Sequence, residues 1–409
     1  MIDAYSSGMS ESACNPPLKG IRVIDLSRVL AGPFCSMILS ELGAEVIKVE
    51  MPEVGDDTRV YPPLINGESS YFLSINRGKK SITLDLKKTE AREALYRLVK
   101  RSDVLLENFR PGVTKRLGIG YETIQEMNPR LIYCSISSFG QSGPYADWPG
   151  YDLIVQGMGG LMGITGEPDG PPVRVGVAIT DIGAGMWAAI AILAALMARE
   201  NSNRGQYIDV SMLDGAVSWM TYVAGNYFAT GHVPPRMGSA HPSIVPYQSF
   251  GTADGKHILI AAGNDRLWSL LCEGMGLQGL KDDPQYASAE KRVENRAKLI
   301  SLLESEFKRK PRDEWLERLR SIGFPCGPVY TVDEIFKDPH VIERGMLIEM
   351  DHKKAGKIKQ IGPVIKFSES SCVAEYPPPL LGEHTEEVLR EIAGYSSDEV
   401  EELRRVRAI

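Results

Sequence analysis

Between Ile21 and Ser137 short apolar runs alternate with stretches of helical periodicity, and this alternation restricts the fold more than any other feature of the chain. Ile21–Leu26 (IRVIDL) reads as a buried strand. Pro33 suits the first turn of a helix ending near Gly43, and Glu45–Val49 reads as the next strand. Strand, helix and strand within about thirty residues form a βαβ unit, which implies a parallel sheet. The pattern continues with strands at Ser81–Leu86, Val104–Glu107 and Leu131–Ser137, and helices at Ala91–Arg101 and Tyr121–Met127. An open α/β layer is expected for this half.

Gly and Pro then cluster between Gly140 and Gly176, a loop-dominated stretch of the kind that carries function in enzymes. A strand at Val173–Ile179, a helix at Ile182–Ala198 and a strand at Tyr207–Met212 are expected next. The helix carries no charge and reaches the lower length limit for a membrane span, but its Ala and Gly content reads as a buried core helix. No membrane association is expected. From about Asn226 the pattern changes: GTADGKHILIAAG suits a hairpin with an Asp-Gly turn, followed by charged helical sequence from Asp283 to Ile322. A chain of 409 residues has room for two or three domains. The reading places a large α/β domain at 1–225 and 326–409, and a smaller α+β domain at 226–325.

The net charge of −7 argues against bulk nucleic-acid binding, which needs a positive surface. Six scattered cysteines without a CxxC pair show no zinc or disulfide spacing, so free thiols in a reducing, cytoplasmic setting and no metal are expected. The first twenty residues lack the layout of a secretory signal. From Asn76 to Arg116, 12 Lys/Arg stand against 5 Asp/Glu. The loop Asn76–Lys80, and Arg110, Lys115 and Arg116 beyond a strand end, could meet a polyphosphate. No GxxxxGK[ST] is present, which argues against a P-loop. Gly183-Ala184-Gly185-Met186-Trp187-Ala188 matches the dinucleotide fingerprint, which makes an NAD-dependent oxidoreductase a rival reading. Just before it, Asp181 stands between a predicted strand and an apolar helix. It suits an N-cap, or a carboxylate kept ionised by the helix N-terminus and able to act as a covalent nucleophile.

Several long segments resemble the class III CoA-transferase family from Leu18 to about Ala393. They include LSRVLAGPFCSMILSELGAEVIKVE, INRGKKSITLDLK, ENFRPGVTKRLGIGYETI, GYDLIVQGMGG, VGVAITDIGAGM and PPLLGEHTEEVL. GDDTR, PVRVGVAITD and SAHPSIVPYQSF are most similar to the branch acting on succinyl-CoA with glutarate or hydroxymethylglutarate. The resemblance implies a doubly wound, Rossmann-like large domain with a smaller inserted domain, in an interlocked homodimer. It implies coenzyme A or an acyl-CoA as substrate, with neither metal nor NAD, and Asp181 as nucleophile. CoA contacts would fall on Arg28, Val29, Ala31, Leu84, Asp85, Lys87, Asn108, Phe109 and Arg116, with Tyr151 and Asp152 near the thioester.

The implied reaction moves CoA from an acyl-CoA, succinyl-CoA in this branch, to a small carboxylate or dicarboxylate through aspartyl anhydride and aspartyl-CoA thioester intermediates. A carboxylate nucleophile suits it because every acyl group on the enzyme stays activated. Amides of the turn at Gly157, Gly159 and Gly160 could serve the oxyanions. Arg174, Arg236 and His241 are candidates for a distal carboxylate, a guanidinium being the better partner. Leu30 stands where formyl-CoA transferases carry glutamine, and their glycine-rich loop has no counterpart around His241–Phe250. Racemases of this fold carry histidine where this chain has Tyr151, which weakens the α-methylacyl-CoA racemase alternative.

Overall fold

The computed structural model describes residues 15–372 and 376–409, so Cys14 lies outside the described residues. It forms two compact units. The first takes the chain up to Gly160, then Val175–Thr221 and His340–Ile409; the second takes Leu161–Arg174 and Tyr222–Pro339. The expected boundaries therefore shift. The second unit runs on to Pro339, and its loop Leu161–Arg174 is tied to a distant stretch by non-periodic polar contacts. Gly238 N donates to Gly166 O at 2.8 Å, and Arg236 Nη2 donates to Gly170 O at 2.7 Å.

The first unit holds a six-stranded sheet of β1 (Arg22–Asp25), β2 (Glu45–Glu50), β3 (Lys79–Thr83), β4 (Val104–Glu107), β5 (Ile132–Ser137) and β6 (Tyr207–Ser211). Its order is β3-β2-β1-β4-β5-β6 and every neighbouring pair is parallel. In register, Ile24 pairs with Ile47 on one side and Leu105 on the other. The central strands are buried nearly end to end, as a parallel sheet covered on both faces requires. The helices that position the site are α1 (Ala31–Glu41), α2 (Ser70–Ile75), α3 (Thr89–Val99), α4 (Asp152–Met158), α5 (Ile179–Ser202), α6 (Thr385–Glu391) and α7 (Ser397–Arg405).

One face of the sheet packs Ile24, Ile47, Ile82 and Leu105 against α3, α6 and α7. Helix α3 buries Ala91, Ala94, Leu95, Leu98 and Val99, a single stripe at helical spacing. On the other side α1 and α5 pack on each other and on the strands. The C-terminal segment returns to cover the edge strand β3: His384 N donates to Ser81 O at 2.8 Å and Thr83 N to Thr385 Oγ1 at 3.0 Å. An edge covered in this way cannot template another strand.

No strand forms at 173–179, where Pro171, Pro172 and Gly176 hold irregular chain, and Ile179 already opens α5. This helix is long and apolar enough to cross a membrane, but half of its most apolar window is buried in the unit. The second unit has a three-stranded antiparallel sheet of β7 (Tyr247–Gly251), β8 (His257–Ala261) and β9 (Cys326–Pro328), in the order β9-β8-β7. The hairpin β7–β8 lies where the Asp-Gly turn places it. Trp268, Phe307 and Trp315 centre the core of this unit.

Candidate active site

The chain leaves β1 toward one side of the sheet and β4 toward the other, and ligands in such sheets bind beyond the carboxyl ends at this reversal. The loops after the two strands are locked to each other there. Asn108 Oδ1 accepts from Arg28 N at 2.8 Å, and Asn108 Nδ2 donates to Arg28 O at 2.8 Å. The Arg28 guanidinium lies 5.7 Å from the centre of the Phe109 ring. Phe109 N donates to Glu107 Oε2 at 2.7 Å, and burial pushes the Glu107 carboxyl up to about 7.

Two cavities open on this junction and share Arg28 and Phe109 as lining. The first, about 250 Å3, has an apolar floor of Leu26, Val49 and Leu84, with Asp85 and Lys87 at its side. The second, about 350 Å3, is bounded by Val29, Ala31, Asn108, Trp148, Tyr151 and Asp181. Of the expected CoA contacts only Arg116 lies outside both linings; it is exposed, at the end of a four-residue helical turn after Gly112.

Asp181 sits in the first turn of α5, three residues past the N-cap Ala178, so it is not the cap itself. Burial pushes its carboxyl up to about 7, and the charge on Asp152 adds to the rise. Desolvation thus favours the neutral form of Asp181, against the ionising pull expected of the helix N-terminus. Asp152, buried at the start of α4, clamps the α5 terminus. Its Oδ1 accepts from Thr180 N at 2.9 Å and Thr180 Oγ1 at 2.8 Å, and its Oδ2 accepts from Gln156 Nε2 at 2.7 Å. Gln156 Oε1 in turn accepts from Val175 N at 2.8 Å. Tyr151 is the cap residue of α4; its side chain makes no capping bond and stands largely exposed at the cavity.

Tyr71 on α2 has no motif around it, and nothing in its sequence neighbourhood singles it out. Burial and then the charge on Asp181 raise its phenol to about 12, with Tyr61, Asp56 and Asp152 contributing, so it stays protonated at neutral pH.

Several expectations are corrected by geometry. Gly159 N donates to Val155 O at 2.7 Å and Gly160 N to Gly157 O at 3.2 Å, so both amides close the end of α4 rather than serve an oxyanion. In the segment Asn76–Lys80 the cations are already paired: Arg77 with Glu41, Lys79 with Asp25, and Lys80 with Glu45 and Glu387. It leads into the start of β3, the opposite end of the strand from the cavities. The glycines of the fingerprint lie inside α5 and not in a strand-to-helix turn. A Cβ on Gly183 would meet the Trp219 ring at 2.1 Å and one on Gly185 the Ala31 carbonyl at 2.6 Å, so both serve close packing. That removes the structural basis for an NAD site there.

Arg174, Arg236 and His241 all belong to the second unit. Arg236 is engaged with the carbonyls of Gly170 and Glu167, and His241 stacks on Tyr222 with ring centres 5.7 Å apart. The residues that line the Asp181 cavity belong to the first unit. Among the described residues no group of three or more His, Cys, Asp or Glu could hold a metal ion.

Comparison with known proteins completes the description. The sequence model of CoA-transferase family III matches residues 18–385. The succinyl-CoA:glutarate CoA-transferase of Mus musculus is 43% identical over 97% of this chain and 92% of its own. The acetyl-CoA:oxalate CoA-transferase of Acetobacter aceti is 42% identical over 92% of this chain and 96% of its own. A crystal structure of a CAIB/BAIF family protein from Brucella suis superposes with a TM-score of 0.84 at 43% identity, covering 92% of this chain and all of the other.

Proposed function

The chain belongs to CoA-transferase family III and is a CoA-transferase, and from that premise we propose that it moves CoA from succinyl-CoA to glutarate or a similar small dicarboxylate through covalent chemistry on Asp181. The observation that carries this reading is the position of Asp181. A carboxyl lifted by burial lines a cavity that shares Arg28 and Phe109 with a second, apolar-floored cavity at the strand ends. The apolar-floored cavity suits an adenine on Leu26, Val49 and Leu84, with Arg28 and Lys87 for phosphates, and the pantetheine arm then leads past Phe109 toward Asp181.

In the proposed sequence the ionised Asp181 attacks the thioester carbonyl of the donor. The C–S bond breaks, CoA leaves as thiolate, and a mixed anhydride remains. The thiolate attacks the aspartyl carbonyl and releases succinate, leaving an aspartyl-CoA thioester. The acceptor carboxylate displaces the thiolate in turn, and the thiolate finally attacks the acceptor acyl group and frees Asp181. Tyr71, whose phenol feels the Asp181 charge and stays protonated at neutral pH, is proposed as a donor to the developing oxyanion. Asp152 orients the α5 terminus, and Tyr151 borders the acyl position.

The interlocked homodimer belongs to the same proposal. Met186, Trp187, Ile190 and Met197 leave an exposed apolar stripe on α5, which a second copy of the chain would cover.

Mass spectrometry of succinyl-CoA incubated with glutarate, oxalate and monocarboxylates tests the reading. A new acyl-CoA with glutarate, and a hydroxylamine-trapped adduct at Asp181, are expected. Asp181→Ala should lower turnover by at least about 1,000-fold with CoA affinity retained. Full turnover in that variant would end the assignment.

A further inference from the structure

A buried polar assembly lies beneath the loop joining β1 to α1, and none of its members has a part in the steps above. Lys48 on β2 is fully buried; its Nζ lies 2.9 Å from Asp56 Oδ2 and donates to Ser27 O at 2.8 Å. Asp56 is also buried, and its Oδ1 accepts from Thr58 N at 2.9 Å and Thr58 Oγ1 at 2.7 Å. Asp56 N donates to Glu50 Oε2 at 2.9 Å. Glu50 is itself gripped by Arg59 at 2.7 Å and by Ser81 at 2.6 Å. Both carboxylate oxygens of Asp56 accept from the amide of Val29 at 3.3 Å.

Val29 has a φ of 66°. A β-branched residue in the left-handed region is an outlier that persists only where its surroundings over-determine it. Here the restraint is visible, because the Val29 amide is the group Asp56 holds. The backbone from Val29 to Ala31 then forms part of the wall of the Asp181 cavity, and Leu30 offers no side-chain cap to α1.

We propose that Asp56, with Lys48 as its buried counter-ion, is a positioning residue that keeps Val29 left-handed and so sets where the Val29–Ala31 backbone stands beside Asp181. A carboxylate suits this task because both oxygens accept and neither donates; an amide in its place would turn one acceptor into a second donor. The lysine is required because an unpaired carboxylate removed from water would take up a proton.

The turnover arm of the test rests on the transferase reading, with the wild-type chain as its control. Lys48→Met combined with Asp56→Asn removes both charges together and leaves neither buried alone. This paired variant should lose about tenfold in kcat/KM for succinyl-CoA and glutarate, the order expected when one left-handed residue loses its restraint. Adding Val29→Gly, which adopts positive φ without a side-chain penalty, should restore most of that loss. Undiminished turnover in the paired variant, or no recovery with glycine, overturns the proposal.

Amide hydrogen exchange needs no turnover. Exchange at Val29 should quicken by about tenfold in the paired variant, and also in Asp56→Glu, which keeps the charge but displaces the carboxylate and serves should the paired variant not fold. Unchanged protection overturns the positioning role. A wild-type chain that transfers CoA to no acid sinks the transferase reading instead, and the exchange result still decides the role of Asp56.

Discussion

At the scale of single residues, two acids of opposite duty stand at the α5 terminus. Asp152 is saturated with hydrogen bonds from Thr180 and Gln156, while Asp181 is pushed up to about 7 by burial and by the Asp152 charge. Only the ionised form of Asp181 is a nucleophile, so kcat/KM should rise with pH through a limb near 7. Asp152→Asn removes the repulsion and should move that limb to lower pH, with turnover reduced about tenfold by the loosened terminus. An unmoved limb in that variant assigns the titration elsewhere. The linked stability has a definite sign. The folded pKa lies above the unfolded value, so ionising Asp181 destabilises the fold as pH rises from about 4 through 7. Asp181→Asn should therefore be more stable than wild type at pH 8, by roughly 4 kcal/mol, and no different below pH 4 in chemical denaturation. Asp181 was legible in the sequence from its segment. The clamp from Asp152 was not, since it joins residues 28 apart that only the packing of α4 on α5 brings together.

At the scale of elements, α5 shows how a sequence pattern can be read correctly as a helix and wrongly as a binding motif. Its small residues, Gly183, Ala184, Gly185, Ala188 and Ala189, form the buried face. Gly185 lets α5 approach the first turn of α1, the turn that follows the Val29–Ala31 loop. Gly185→Ala should lower unfolding stability by about 1–3 kcal/mol, because the new Cβ would meet backbone that cannot swing aside. A thermal or denaturant melt checks this, and an unchanged midpoint would show that the close approach is relaxed in solution. The strand expected at Val173–Ile179 fails for a related reason. Its apolar alternation finds no neighbouring strand, and a lone extended segment gains nothing from its pattern.

At the scale of the whole molecule, the ends of the described chain meet in one unit, and the C-terminal helices complete the face begun by α3. The apolar stripe on α5 has no cover within the chain described. If the proposed homodimer covers it, sedimentation should give about twice 45.0 kDa, and Ile190→Glu with Met197→Lys should shift the mass toward the monomer. A monomeric wild-type chain at micromolar concentration removes the homodimer from the proposal.

The sequence by itself determined the parallel α/β layer, the position of most strands and helices within it, and the carboxylate at the head of the apolar helix. Periodicity and turn chemistry are local, and they survive in any window of the chain. Only the tertiary structure decided that the cations of Asn76–Lys80 are paired at the wrong end of a strand, that the fingerprint glycines are packing contacts, and that Asp56 grips the loop bordering the Asp181 cavity. Each of those facts depends on what a side chain meets from a distant part of the chain, and the burial that fixes its charge exists only once the elements have docked.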